Sequence, residues 1–172
     1  IRDPDKPIEV SDDEKLRNLE VAGSLTFDKI SYDKINVAGK CEGVFVSSRI
    51  LKVSGSCEID SLTIEQTLEI AGKPQIDSVT ADEISIASRS GFLGNVKCRK
   101  IKIDGGFAPV QSWSHVRIKN IEAEVVALEN CEVDVICCRD AIIGSNCTIK
   151  KLFVSGKCEV AADSTVDEMI HT

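Results

Sequence analysis

The feature that most constrains this chain is a hydrophobic–polar–hydrophobic triplet that returns every 16 or 17 residues, followed by a small residue and usually a glycine. The copies are Leu19-Glu20-Val21-Ala22-Gly23, Ile35-Asn36-Val37-Ala38-Gly39, Leu51-Lys52-Val53-Ser54-Gly55, Leu68-Glu69-Ile70-Ala71-Gly72 and Ile101-Lys102-Ile103-Asp104-Gly105. Ile84-Ser85-Ile86-Ala87-Ser88 keeps the same interval with serine in place of glycine. A fixed period with period-2 alternation inside it is the signature of one short unit stacked on copies of itself. Such a chain presents sides and ends rather than a cleft.

The unit can be read position by position. From Leu51 the inward pairs are Leu51/Val53, Cys57/Ile59 and Leu62/Ile64, and Leu68 opens the next copy, giving steps of 6, 5 and 6 residues. The copy before it gives Ile35/Val37, Cys41/Gly43 and Val46/Ser48. Three short sides and three corners therefore make one turn. The longer step carries the glycine, which enters positive φ without steric cost. Corner glycines are expected at Gly23, Gly39, Gly55, Gly72, Gly105, Gly144 and Gly156.

The same spacing runs through Val126/Leu128, Cys131/Val133, Ile136/Cys138, Ala141/Ile143, Cys147/Ile149, Leu152/Val154 and Cys158/Val160. The fold expected is all-β: a three-sided parallel β-helix of about nine coils of 15–17 residues. At ~4.8 Å per coil the rod is ~43 Å long. A right-handed helix is expected, because the strict hexapeptide rhythm of left-handed versions is missing.

Three segments fall outside the repeat. Residues 1–18 form a polar tail with Pro4 and Pro7. Within the β-helix domain, 19–166, residues 105–116 (GGFAPVQSWSHV) read as a loop insertion. Residues 167–172 read as a C-terminal tail or cap, with Met169 and Ile170 placed to cover the last coil.

Charge narrows the partners. The net charge is −7 with acidic and basic residues interspersed. No basic stripe is present, so neither nucleic acid nor an anionic membrane surface is an expected partner. No apolar run approaches the ~20 residues of a membrane helix. Membrane association would have to run through a partner or a further segment. Of eight cysteines, Cys41, Cys57, Cys131, Cys138, Cys147 and Cys158 fall at inward positions, Cys98 joins them, and Cys137 faces out. They read as reduced core thiols, which makes the cytoplasm the expected location. Cys41 and Cys57 lie one coil apart, close enough for an oxidising compartment to link them.

The Gly-centred repeats VAGSL, VAGKC, VSGSC, IAGKP and VSGKC resemble those of the bactofilins, polymer-forming bacterial cytoskeletal proteins. The resemblance covers Leu19 to about Val166. It implies nucleotide-free, end-to-end stacking of β-helices beneath the membrane, and it carries over no catalytic residue. The coil is shorter than that family leads one to expect, and 105–116 interrupts it.

No enzymatic site emerges. Asp28, Asp60 and Asp77 recur at corners, where Asp suits the geometry and caps backbone amides, spaced along the rod rather than converging. His115 lies in the loop and His171 at the terminus, which suits no acyl-transfer site. No ligand spacing for a metal and no phosphate-binding motif is present. Catalytic, cofactor and metal residues are therefore none.

Contact candidates lie elsewhere. Ser31, Ser47, Thr63 and Thr80 form one uncharged outward column, and Ala22, Ala38, Ser54, Ala71 and Ala87 form a second, small one. The coil ends offer Leu19, Val21 and Val160, and the loop offers Phe107 and Trp113. The function expected is a non-enzymatic scaffold that self-assembles through its coil ends into polymers. The alternative is a solenoid binding module that holds a protein or glycan partner through the 105–116 loop. A carbohydrate-active enzyme ranks third.

Overall fold

The computed structural model of the chain describes residues 18–88, 90–104 and 115–172. Those residues form a parallel β-solenoid without any helix. Strand β1 runs unbroken over Asn18–Thr80. It is followed by β2 (Glu83–Ala87), β3 (Gly91–Lys97), β4 (Lys100–Asp104) and β5 (Val116–Glu122). The rest are β6 (Val125–Leu128), β7 (Cys131–Cys138), β8 (Asp140–Ile143), β9 (Thr148–Val154), β10 (Cys158–Val160) and β11 (Thr165–His171).

Each strand beyond β1 pairs in parallel with the strand two places on, so short strands stack on short and long on long. A short strand carries one inward pair, such as Ala141/Ile143 in β8. A long strand carries more: in β7 the buried Cys131 and Val133 are separated from Ile136 by two consecutive outward residues, Asp134 and Val135. This doubled outward step is a corner, and it gives three sides per turn as the sequence predicts.

The registers build continuous columns. Leu68, Ile84, Ile101, Val126, Ala141 and Cys158 stand one above another. Paired strands delimit about six turns against the nine expected. The shortfall has a simple cause: β1 passes through its corners without a break, so its turns are not divided into separate strands. Stacking continues inside β1 all the same, since the glycines of successive repeats lie against one another.

The corner glycines behave in two ways. Gly23, Gly39, Gly55 and Gly72 all have positive φ. In addition, a Cβ on Gly39, Gly55 or Gly72 would strike the carbonyl oxygen of the glycine one repeat earlier. The expectation fails for Gly144 and Gly156, which are not among the positive-φ residues. There glycine answers a close approach instead: a Cβ on Gly144 would lie 2.7 Å from Glu129 Cγ and 2.8 Å from the Leu128 carbonyl, and one on Gly156 would meet Asp140 and Arg139. Positive φ moves to Asn130 (54°) and Asn146 (58°), the usual non-glycine occupants of that region. Their side chains stack, Asn146 Nδ2 donating to Asn130 Oδ1 at 2.6 Å. Gly105 lies outside the described residues.

The insertion shows in the register. Lys100 pairs with Val125 across 25 residues, whereas Glu83 pairs with Lys100 across 17. Val116, expected in the loop, is instead the buried first residue of β5. The C-terminal boundary also moves: Thr165–His171 pairs with β9 as a regular strand, so the segment expected as a tail or cap is part of the last turn.

One corner is reinforced by arginine. Arg49 Nε and Nη2 donate to the two Asp33 carboxylate oxygens at 2.9 and 3.0 Å, and Nη1 donates to Gln66 at 3.2 Å. Arg99 spans Asp82 and Glu83 in the same way. Bidentate pairing is specific in geometry, but exposed pairs of this kind add little stability each.

Candidate functional site

The solenoid ends differ. At the N-terminal end the inward side chains Leu19, Leu25, Phe27 and Ile30 are all buried. Phe27 fills the place that a side chain on Gly43, one turn later, would need. Leu19, expected as a contact residue, therefore belongs to the core, and Val21 is half-buried against it.

At the C-terminal end β10 and β11 are the two outermost strands of the sheet, each paired on one edge only among the described residues. Val160 stands over Ile143 and Met169 over Leu152 in inward columns. The lower members are 1% and 0% exposed, whereas Val160 is 38% and Met169 42% exposed. Cys158 and Val166 complete an apolar layer that packs on the core below. The turn is nonetheless well anchored: Ser164 Oγ accepts from Cys147 N at 2.9 Å and donates to the Gly144 carbonyl. Around this layer lie Glu159, Asp163, Asp167 and Glu168, and residues 158–172 contain no lysine or arginine. Glu168 is joined to Lys151 of the preceding turn at 3.6 Å.

The columns of outward residues fall as follows. Ala22, Ala38, Ser54 and Ala71 line a shallow trough of about 780 Å3, whose other wall carries Glu20, Lys52 and Glu69. Lys52 and Glu69 are paired along that wall at 3.4 Å. In the second column Ser31 and Ser47 are half-buried and Thr63 and Thr80 exposed. That column does not stay uncharged: Thr80 registers with Lys97, and it continues through Glu122, Cys137, Phe153 and Ile170. Phe107 and Trp113 lie outside the described residues.

Asp28, Asp60 and Asp77 are exposed at corners, and among the described residues no three His, Cys, Asp or Glu side chains group to hold a metal. His171 stands over Val154 in the last turn, far along the chain from His115. Cys41, Cys57, Cys131 and Cys147 are buried, Cys98, Cys138 and Cys158 half-buried against the core, and Cys137 exposed. Burial, with Asp82 nearby, pushes the Cys98 thiol up to about 12; burial, with Cys158 and Cys137 nearby, pushes Cys138 up to about 11. These are inert thiols rather than nucleophiles.

Val160 can be placed at the open end from the repeat alone, whereas Met169 reads there only as a covering residue. The signal for its inward position is nonetheless present: Val166 and Met169 repeat the three-residue interval of Val133 and Ile136. The fold and its columns define a parallel β-solenoid of short, three-sided turns. No family model, curated protein or solved structure matches the chain.

Proposed function

We propose that this protein is a non-enzymatic scaffold that associates with copies of itself end to end, with the open C-terminal turn as the contact. The observation that carries the reading is the exposure of Val160 and Met169 directly above Ile143 and Leu152, which are buried. A free β-edge backed by apolar side chains is a template for another chain unless it is covered or blunted. β10 and β11 have neither proline nor lysine to blunt them. The bactofilin-like repeats supply the pattern of end-to-end stacking, and a cytoplasmic, polymer-forming role belongs to this same reading. No helix among the described residues is long and apolar enough to cross a membrane.

Sedimentation of the full chain over a range of concentrations tests the reading. Association that weakens in Val160→Lys and Met169→Lys supports it. A wild-type protein that stays monomeric at high concentration overturns it.

A further inference from the structure

The core holds two stacked thiol pairs that the scaffold reading does not use. We infer that Cys41 with Cys57, and Cys131 with Cys147, are oxidation sites at which hydrogen peroxide closes a disulfide, stapling two successive turns. This inference does not depend on self-association.

All four residues occupy the first inward position after the same corner. Cys41 and Cys57 follow Gly39 and Gly55, which lie in contact one repeat apart. Cys131 and Cys147 precede Glu132 and Thr148, which are register partners. In the second pair Cys131 Sγ donates to the Glu129 carbonyl at 3.1 Å and Cys147 Sγ to the Ser145 carbonyl at 3.6 Å, each two residues back, so the two thiols are held alike at successive corners. Neighbouring parallel strands lie ~4.8 Å apart, inside the ~4.4–6.8 Å Cα separation that a disulfide bridges.

The pairing is unambiguous because the column isolates each pair. Between them it is filled by Pro74, Gly91 and Val116. Cys98 and Cys138 stand in another column, and Cys137 points outward.

The chemistry balances with one peroxide per pair. One sulfur attacks the O–O bond, taking an oxygen to become a sulfenic acid while water leaves. The second thiol attacks that sulfur, the S–S bond forms, and the hydroxyl leaves with the thiol proton as a second water. Two thiols are oxidised, and the peroxide is reduced to two waters. The neighbouring thiol and burial raise the pKa of Cys57 and Cys131, whereas Cys131 lowers that of Cys147; with all four sulfurs buried, peroxide reaches them through local opening of the rod.

Peroxide treatment of the full chain, then alkylation under denaturing conditions and peptide mapping, tests the inference. Cross-links 41–57 and 131–147 are expected, with Cys98, Cys138 and Cys158 outside them. The thermal midpoint should rise by roughly 5–10 °C and return on treatment with dithiothreitol. In Cys57→Ala the first cross-link vanishes, Cys41 becomes alkylatable and the second cross-link persists. Four core thiols still alkylatable once Cys137 is fully oxidised would overturn the inference, as would cross-links to other cysteines. A midpoint that stays put despite both cross-links would overturn the staple.

Discussion

Val160 lies directly over Ile143 in one inward column, yet Val160 is exposed to solvent and Ile143 is not. Both are β-branched aliphatic side chains pointing in the same direction. The difference is that, among the described residues, a further turn covers Ile143 and none covers Val160.

Salt should strengthen association. The last turn carries Glu159, Asp163, Asp167 and Glu168 without a lysine or arginine of its own. Glu168 is paired with Lys151 of the preceding turn, but docking on another copy still brings a net negative turn into an interface, which costs less when the charges are screened. Raising NaCl from about 20 mM to about 0.5 M, where the screening length falls from over 20 Å to under 5 Å, should increase the associated fraction. A fraction that falls instead would mean that attraction between opposite charges drives the contact.

Two glycines of the same motif should differ in their tolerance of alanine. Gly23 has positive φ but open space where a Cβ would stand, so Gly23→Ala should cost about 1 kcal/mol. Gly55 has positive φ and also the Gly39 carbonyl in the way. Gly55→Ala should cost at least about 3 kcal/mol, since strain and overpacking add. Urea unfolding of the two variants measures the gap.

Asn130 should accept glycine better than alanine. Its φ of 54° suits glycine; both substitutions lose the hydrogen bond from Asn146, but alanine alone also carries the strain. Asn130→Ala is expected to cost about 1 kcal/mol more than Asn130→Gly in the same assay.

Alkali should destabilise the rod through its half-buried thiols. Cys98 and Cys138 have folded values near 12 and 11 against an ordinary value of 9.0. Because the folded values are raised, the stabilisation is complete below the ordinary thiol value and is lost as pH rises toward 11–12, where the unfolded chain has released the protons first. Unfolding midpoints from about pH 8 to about pH 11 should fall, and Cys98→Ala should make the fall shallower.

The spacing of inward pairs is legible because a strand alternates strictly and the interior of each turn accepts only apolar or small side chains. Leu51/Val53 and Leu152/Val154 obey one rule although about a hundred residues separate them. Glycine is less informative. In Gly55 it answers backbone conformation, but in Gly156 it answers the nearby Asp140 side chain, and the two look alike in sequence. Asn130 and Asn146 take over the corner conformation in a residue type that also suits any exposed loop. The open end is only half legible. Val160 can be placed inward, but its exposure depends on what stacks over it, and the glycine-free corner before Thr165 conceals β11.

Sedimentation velocity of the wild type beside Val160→Lys, at matched concentrations, tests the central claim most directly. Because Val160 is already partly exposed, the lysine variant should keep the β-rich circular dichroism spectrum and the unfolding midpoint of the wild type. The expected result is concentration-dependent association in the wild type and a monomer in the variant. Equal association in both, with both folded, would contradict the claim that the open C-terminal turn is the contact.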